Sequence, residues 1–235
     1  MKLIHISDSH ISHLNEQREK DLTACVEYIN HNHADADVVV HTGDVSHDGL
    51  VQEYQLAKDR LDGLSAPYFV IPGNRDKREP MMKVFATQAT TFPESAFIQY
   101  AIEEYPVRII MLDTLSEHSN KGRLCSQRRQ QLASLLDANR QKPTLICLHH
   151  APVRVDAIPD PWQFEDWQDV EAFSALLNAH SQVRMLCCGH IHRNHEGELG
   201  DGLPVHAISC MAVDLRKGQL SEYERTRPMV NSYSL

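Results

Sequence analysis

Short, continuous apolar runs alternate along the chain with longer stretches in which apolar residues recur every three or four positions. Residues 3–6, 37–42 (around Val38-Val39-Val40), 68–71, 107–112, 144–148 and 185–188 are of the first kind, which marks strands buried on both faces. Residues 16–31 (Leu22, Val26, Ile29), 50–61 (Leu50, Tyr54, Ala57, Leu61), 126–139 (Leu132, Leu135, Leu136) and 168–180 (Val170, Phe173, Leu176, Leu177) are of the second and predict helices with one apolar face. A further helix is predicted over 77–87, a final pair of strands over 205–209 and 212–215, and the polar segment after Gly218 could add an edge strand. Strands and helices in alternation predict an α/β fold with covered sheet faces. Periodicity alone leaves open whether there is one sheet or two.

What stands at the carboxyl end of the runs gives the pattern its chemistry. The blocks are Asp8-Ser9-His10, Gly43-Asp44, Gly73-Asn74, His149-His150 and Gly189-His190-Ile191-His192, almost every one closing a predicted strand. In α/β folds ligands bind beyond the carboxyl ends of the strands, so one rim could collect Asp8, His10, Asp44, Asn74, His149, His190 and His192. Residues two apart at an extended strand end can aim the same way, and Gly43 and Gly189 free the backbone to turn. A carboxylate can bridge two ions through its two oxygens, and asparagine adds a neutral carbonyl ligand. Oxygen and imidazole together suit two divalent or trivalent cations of intermediate hardness (Fe, Mn, Zn, Co or Mg).

At 235 residues the chain is expected to form one domain, 1–235, and its composition (42% hydrophobic, 23% charged) is that of a globular protein. The formal charge of -9 argues against nucleic-acid polymers and membrane surfaces as partners. It does not exclude an anionic substrate: two divalent ions (+4) against Asp8 and Asp44 (−2) would leave the site near +2. The six cysteines form no CxxC pair and read as buried thiols. With no signal-peptide pattern before Asp8 and no transmembrane-length apolar stretch, a cytoplasmic protein is expected.

The order DxH, GD, GN, HH and GHxH, running from Asp8 to His192, resembles the calcineurin-like metallophosphoesterases. Residues 53–76 (EYQLAKDRLDGLSAPYFVIPGNRD) and 142–152 (KPTLICLHHAP) look most like the bacterial cyclic-nucleotide and glycerophosphodiester phosphodiesterases of that family. The resemblance implies a four-layer αββα sandwich with the metal site at the carboxyl ends of the strands. It implies one metal on Asp8, His10, Asp44 and His192 and another on Asp44, Asn74, His149 and His190, with Asp44 bridging and His150 behind His149. Two metals about 3.5–4 Å apart can clamp both sides of an in-line displacement, and a metal-activated hydroxide would attack phosphorus. The implied substrate is a small phosphodiester, a 3′,5′-cyclic nucleotide first and a glycerophosphodiester second; a homo-oligomer is compatible with the subgroup.

One block departs from the family's usual Gly-Asn-His-Asp/Glu: this chain reads Gly73-Asn74-Arg75-Asp76. Arginine stays protonated and cannot give its proton to a leaving oxygen, but its fork of donors can clamp phosphate. Arg75 is therefore expected to bind substrate and supply charge, with leaving-group protonation left to water or to His150, His195 or His206. Arginine here also resembles the branch that cleaves the pyrophosphate bond of UDP-diacylglucosamine, an alternative function, and a scaffold with an impaired metal site is another. His195 and an aromatic lid of Trp162, Phe164 and Trp167 are candidates for substrate contact, the rings either stacking on a base or packing on the protein itself. His47 is a candidate neighbour of the metal ligands. Asp76 reads as orienting Arg75 or capping the next helix, and Asp113 as a loop anchor.

Overall fold

In the computed structural model, residues 1–85, 96–155 and 163–235 are described. Two sheets face each other. The first, in the order β10-β1-β2-β3, sets β1 (Lys2–Ile6), β2 (Val38–His41) and β3 (Tyr68–Val70) parallel, with β10 (Asn231–Ser234) antiparallel at one edge. In the second, β5 (Arg108–Leu112), β6 (Thr144–Leu148), β7 (Val183–Cys188) and β9 (Leu203–Ala207) are parallel, and β4 (Tyr100–Ile102) and β8 (His195–Leu199) are antiparallel edges. Parallel neighbours need crossover connections. Here they are α1 (Glu16–Asn32) and α2 (Val51–Leu61) for the first sheet and α4 (Ser126–Ala138) and α5 (Trp167–Asn178) for the second, where β7 and β9 are joined through β8; α3 (Arg78–Val84) follows β3.

The strand period of two builds four layers. Ile109 and Met111 of β5, Leu145 and Cys147 of β6, and Met185 and Cys187 of β7 join the interior shared with the first sheet. Their alternates Ile110, Leu112, Ile146, Leu148, Leu186 and Cys188 pack instead with Leu132 and Leu136 of α4 and Val170, Phe173 and Leu177 of α5. Leu22, Val26 and Ile29 of α1 and Tyr54, Ala57 and Leu61 of α2 cover the other side of the first sheet. The αββα arrangement expected from the family likeness is therefore present. No helix among the described residues is long and apolar enough to cross a membrane.

Several elements differ from the periodicity reading. The strand expected over 212–215 is a 3₁₀ turn, Val213–Leu215. The N–H groups of Met211 and Ala212 go to the carbonyls of Ser7 and Asp8, which ties this segment to a loop rather than to a neighbouring strand. Strand β8 was hidden because it is a charged edge: Glu196 and Glu198 face solvent while Leu199 packs inward. Strand β4 is only three residues long. The short helix α6 (Glu222–Thr226) is closed by a capping box between Ser221 and Glu224. The expected edge strand after Gly218 is β10.

Asp113, just past β5, anchors the rim. Its buried carboxylate accepts from Arg78 at 2.7 Å (Nε) and 2.9 Å (Nη2) and from the backbone N–H groups of Ile98 and Leu115, both at 2.9 Å. Asp113→Ala is expected to cost about 3–5 kcal/mol of unfolding free energy, because it removes the buried counter-charge of Arg78 and leaves the N–H groups of Ile98 and Leu115 without their acceptor, and a urea titration reads it. Glu117→Ala, which removes the exposed outer partner of the same arginine, is expected to cost under about 1 kcal/mol.

Candidate metal centre

The ladder between β1 and β2 continues past the strands into their loops. Asp8 N–H donates to the Gly43 carbonyl (3.0 Å), His10 N–H to Asp44 (2.8 Å) and Ile11 N–H to Val45 (2.9 Å). Within this frame the backbone twists sharply. Among the described residues, the non-glycine residues at positive φ are Asp8 (57°), His10 (45°), Asp44 (51°), His190 (71°) and His192 (54°). L-residues seldom adopt this conformation, and strain of this kind gathers at functional sites. Gly43 (φ +98°) is needed outright: a Cβ there would lie 2.7 Å from Gly73 N and from His149 Nδ1. At Gly189 a Cβ would collide with Ser7 Oγ and Asp8 Oδ2.

The seven side chains expected to converge do so. On one side, His10 Nε2 lies 3.1 Å from His192 Nε2, 3.7 Å from Asp8 Oδ1 and 3.5 Å from Asp44 Oδ2, and His192 Nε2 lies 3.3 Å from Asp8 Oδ1. On the other, Asn74 Oδ1 lies 2.8 Å from His190 Nδ1 and 3.1 Å from His149 Nε2, which is 3.6 Å from Asp44 Oδ1. Asp44 thus turns one oxygen to each group. Asp8, His10, Asp44 and His192 have the donor atoms and spacing to hold a metal ion.

Hydrogen bonds behind the ligands settle what they offer. His149 Nδ1 donates to the Thr42 carbonyl (2.7 Å) and His192 Nδ1 to the Leu215 carbonyl (3.0 Å), so each Nε2 presents a lone pair to the cluster. Lone pairs of His192 Nε2 and Asp8 Oδ1 then face each other, as do those of His149 Nε2 and Asn74 Oδ1, and Asp8 Oδ1 is buried without a hydrogen-bond partner. A cation turns each such repulsion into a shared bond. Charge agrees. Burial pushes His10 down to about 4 and lowers His149 and His190, which keeps these imidazoles neutral at pH 7. Burial, with the charges of Asp8 and Asp76, pushes the Asp44 carboxyl well up.

The surrounding residues fall into three groups. Asp76 neither caps α3, whose N-cap is Lys77, nor pairs with Arg75. It accepts from the N–H groups of Gly73 (2.8 Å), Ser46 (2.9 Å) and Val45 (3.1 Å), and so clamps two ligand loops together. Arg75 N–H donates to Asp44 Oδ1 (2.7 Å), and its half-buried guanidinium is held by the His47 carbonyl (2.9 Å) at the edge of the cluster. His47 stands between, its Nδ1 3.5 Å from His10 Nδ1 and its Nε2 3.5 Å from Arg75 Nη2. His150 is fully buried against the rings of His149 and His190; Thr114 Oγ1 lies 2.8 Å from its Nδ1 and the Asn120 carbonyl 3.3 Å from its Nε2.

His195 and His206 point elsewhere. His195 lines a groove of about 560 Å³ beside α5 with Arg154 and Trp167, while His206 packs on Tyr233 and faces Glu196. Trp167 packs on the protein itself, between Phe164 and Arg154; Trp162 lies outside the described residues. Two features escaped the sequence reading. The clamp made by Asp76 has no motif beyond the aspartate. Cys210, read with the others as a buried thiol, lies beside His10 and His192, and its place just past the end of β9 was the available signal.

A family model of the calcineurin-like phosphoesterases matches residues 1–194. A protein of Arcobacter nitrofigilis named a probable glycerophosphodiester phosphodiesterase is 31% identical over 246 residues, which cover 98% of this chain and 87% of that protein. A protein of Vibrio vulnificus named a 3′,5′-cyclic adenosine monophosphate phosphodiesterase is 30% identical over 201 residues, 83% of this chain and 70% of that protein. The solved structure of a dimetal phosphatase from Danio rerio matches with a TM-score of 0.75 at 15% identity, covering 99% of this chain and 91% of its own, which shows the shared fold. Fold, strained ligand loops and sequence likeness agree: the chain belongs to the calcineurin-like phosphoesterase family and is a metallophosphoesterase hydrolase.

Proposed function

We propose that the chain is a metal-dependent phosphodiesterase acting on a small phosphodiester, a 3′,5′-cyclic nucleotide first and a glycerophosphodiester second. The observation that carries this is the split of Asp44, whose Oδ2 lies 3.5 Å from His10 Nε2 and whose Oδ1 lies 3.6 Å from His149 Nε2. On this reading Asp8, His10, Asp44 and His192 hold one ion, and Asp44, Asn74, His149 and His190 hold a second. Such a pair supplies Lewis-acid charge to a phosphoryl oxygen and lowers the pKa of water. The protein's part is to hold neutral imidazoles and carboxyl groups at fixed spacing and to bring an anion to them. Arg75, tethered at the edge through Nε to the His47 carbonyl and through Nη2 to Asp48 at 3.5 Å, keeps the donors of Nη1 for a phosphate oxygen. His150 props the rings of His149 and His190; because both of its nitrogens have partners, water is the favoured proton source for the leaving oxygen. His195 faces α5 and takes no part.

The order of substrates is supported by the names of the two relatives and by the small-diester likeness of residues 53–76. A nucleotide-sugar pyrophosphate is the second reading. Arg75 favours it, since phosphate leaves without needing a proton.

Hydrolysis by the metal-reconstituted protein of cAMP, cGMP, 2′,3′-cyclic nucleotides, glycerophosphoethanolamine, UDP-sugars and p-nitrophenyl phosphate tests the assignment. Turnover of a cyclic nucleotide or glycerophosphodiester above the others is expected. Preference for UDP-sugars would move the reading to the pyrophosphate branch, and no turnover of anything, bis-(p-nitrophenyl) phosphate included, would remove it. Chelation should abolish activity, and Asp44→Asn should lower it by about 10²-fold or more with loss of metal measured by elemental analysis. Arg75→Ala should leave metal content unchanged and lower kcat/KM by roughly 10- to 150-fold, the worth of a hydrogen bond to a charged group.

A further inference from the structure

Strand β9 runs out into Ser209-Cys210-Met211, and this segment is pinned to the first ligand loop. Met211 N–H donates to the Ser7 carbonyl (3.0 Å), Ala212 N–H to the Asp8 carbonyl (3.2 Å), and Arg216 Nε holds the Cys210 carbonyl (2.8 Å). The pinning sets a fully buried thiol beneath the cluster. Cys210 Sγ lies 2.9 Å from the Asp8 carbonyl oxygen, and the sulfur and the ligating nitrogens of His10 and His192 all lie within 4.8 Å of one another. Independently, Asp8 Oδ1, buried and without a hydrogen-bond partner, is aimed at one of the same imidazole nitrogens, 3.3 Å from His192 Nε2.

We propose that Cys210 is a further metal ligand, its sulfur joining the nitrogens of His10 and His192 on the first ion. None of the five sequence blocks contains a cysteine, so this ligand comes from a sixth segment. Its consequence is selectivity. A sulfur donor turns a site of oxygen and imidazole toward zinc, cobalt or iron and away from magnesium. On ligation Sγ gives up its S–H bond to the Asp8 carbonyl, the cation takes the place of the thiol proton, and the proton passes to solvent. The other cysteines cannot stand in: Cys25, Cys147, Cys187 and Cys188 lie in the apolar interior and Cys125 caps α4. The inference rests on the metal reading of the cluster given above.

Cobalt titration of the full chain separates the two. Visible ligand-field bands report cobalt bound by the cluster, and a near-ultraviolet sulfur-to-cobalt charge-transfer band reports the thiol. Both are expected in the unaltered protein, with only the second lost in Cys210→Ser. Because a buried substitution can unfold the chain, X-ray absorption of the zinc-loaded unaltered protein gives a second measurement, with a Zn–S shell expected at about 2.3 Å. Ligand-field bands without the charge-transfer band, or a shell of nitrogen and oxygen only, would leave Cys210 as a core thiol and the metal reading intact. No cobalt spectrum at any loading would overturn both.

Discussion

Acceptor atoms facing acceptor atoms across about three ångströms are the feature around which this fold is arranged. Asp8 Oδ1 against His192 Nε2, and Asn74 Oδ1 against His149 Nε2, are contacts that a protein interior ordinarily avoids. They persist because everything behind them is fixed. The tautomers of His149 and His192 are set by the carbonyls of Thr42 and Leu215, and the loops carrying Asp8, His10 and Asp44 are laced by an extension of the β1–β2 ladder. Residues in sparsely populated φ/ψ regions cost on the order of 1–3 kcal/mol each, and five ligand-bearing residues sit in one. The ladder bonds and the Asp76 clamp offset part of that cost. On the proposed reading the cations supply the rest, so apo and metal-loaded protein should differ most in these loops.

The constraint reaches into the choice of architecture. Three ligand loops rise from the first sheet, after β1, β2 and β3, and two from the second, after β6 and β7. One cluster therefore requires the two sheets to keep a fixed offset. The shared interior does this with interdigitated side chains from both, Ile109, Met111, Leu145, Cys147, Met185 and Cys187 against the first sheet, and close-packed interiors do not deform continuously. The close approach of Gly43 to Gly73 N and His149 Nδ1, and of Gly189 to Ser7 and Asp8, is where that offset is felt at atomic scale. All three glycines precede ligand positions in the chain, so the residue that lets the loops approach and the residue that exploits the approach are neighbours.

The parts of this arrangement legible in the sequence were those governed by local pattern. The largely apolar β2 and β6 and the helices with apolar faces follow from periodicity, and the seven ligand types follow from spacing at strand ends. Other parts depend on contacts between distant segments. Strand β8 carries glutamates because its outer face is wet, so it does not alternate legibly against β9, and 212–215 is held as a 3₁₀ turn by the carbonyls of Ser7 and Asp8, some two hundred residues away. Contacts with other segments also hid Asp76 and Cys210. Each is an unremarkable residue in its own segment and stands out only where another segment brings the N–H groups of Val45 and Ser46 or a pair of imidazoles to it.

Residues outside the shared blocks are where such a frame can be specialised at low structural cost. The ligands themselves are over-determined: moving any one breaks a ladder bond, a tautomer lock or a close backbone approach. Arg75 is different. Its backbone N–H serves Asp44 whatever its side chain, so the side chain is free to change from a proton donor to a fixed positive charge without disturbing the cluster. Cys210 is different in the same way, since its backbone is held by Arg216 and the neighbouring N–H groups and its side chain alone faces the cluster. On the proposed readings one position acts on the incoming anion and the other on the identity of the ion. The backbone fixes where the ligand side chains stand, and two side chains that the backbone does not depend on are left to be varied beside them.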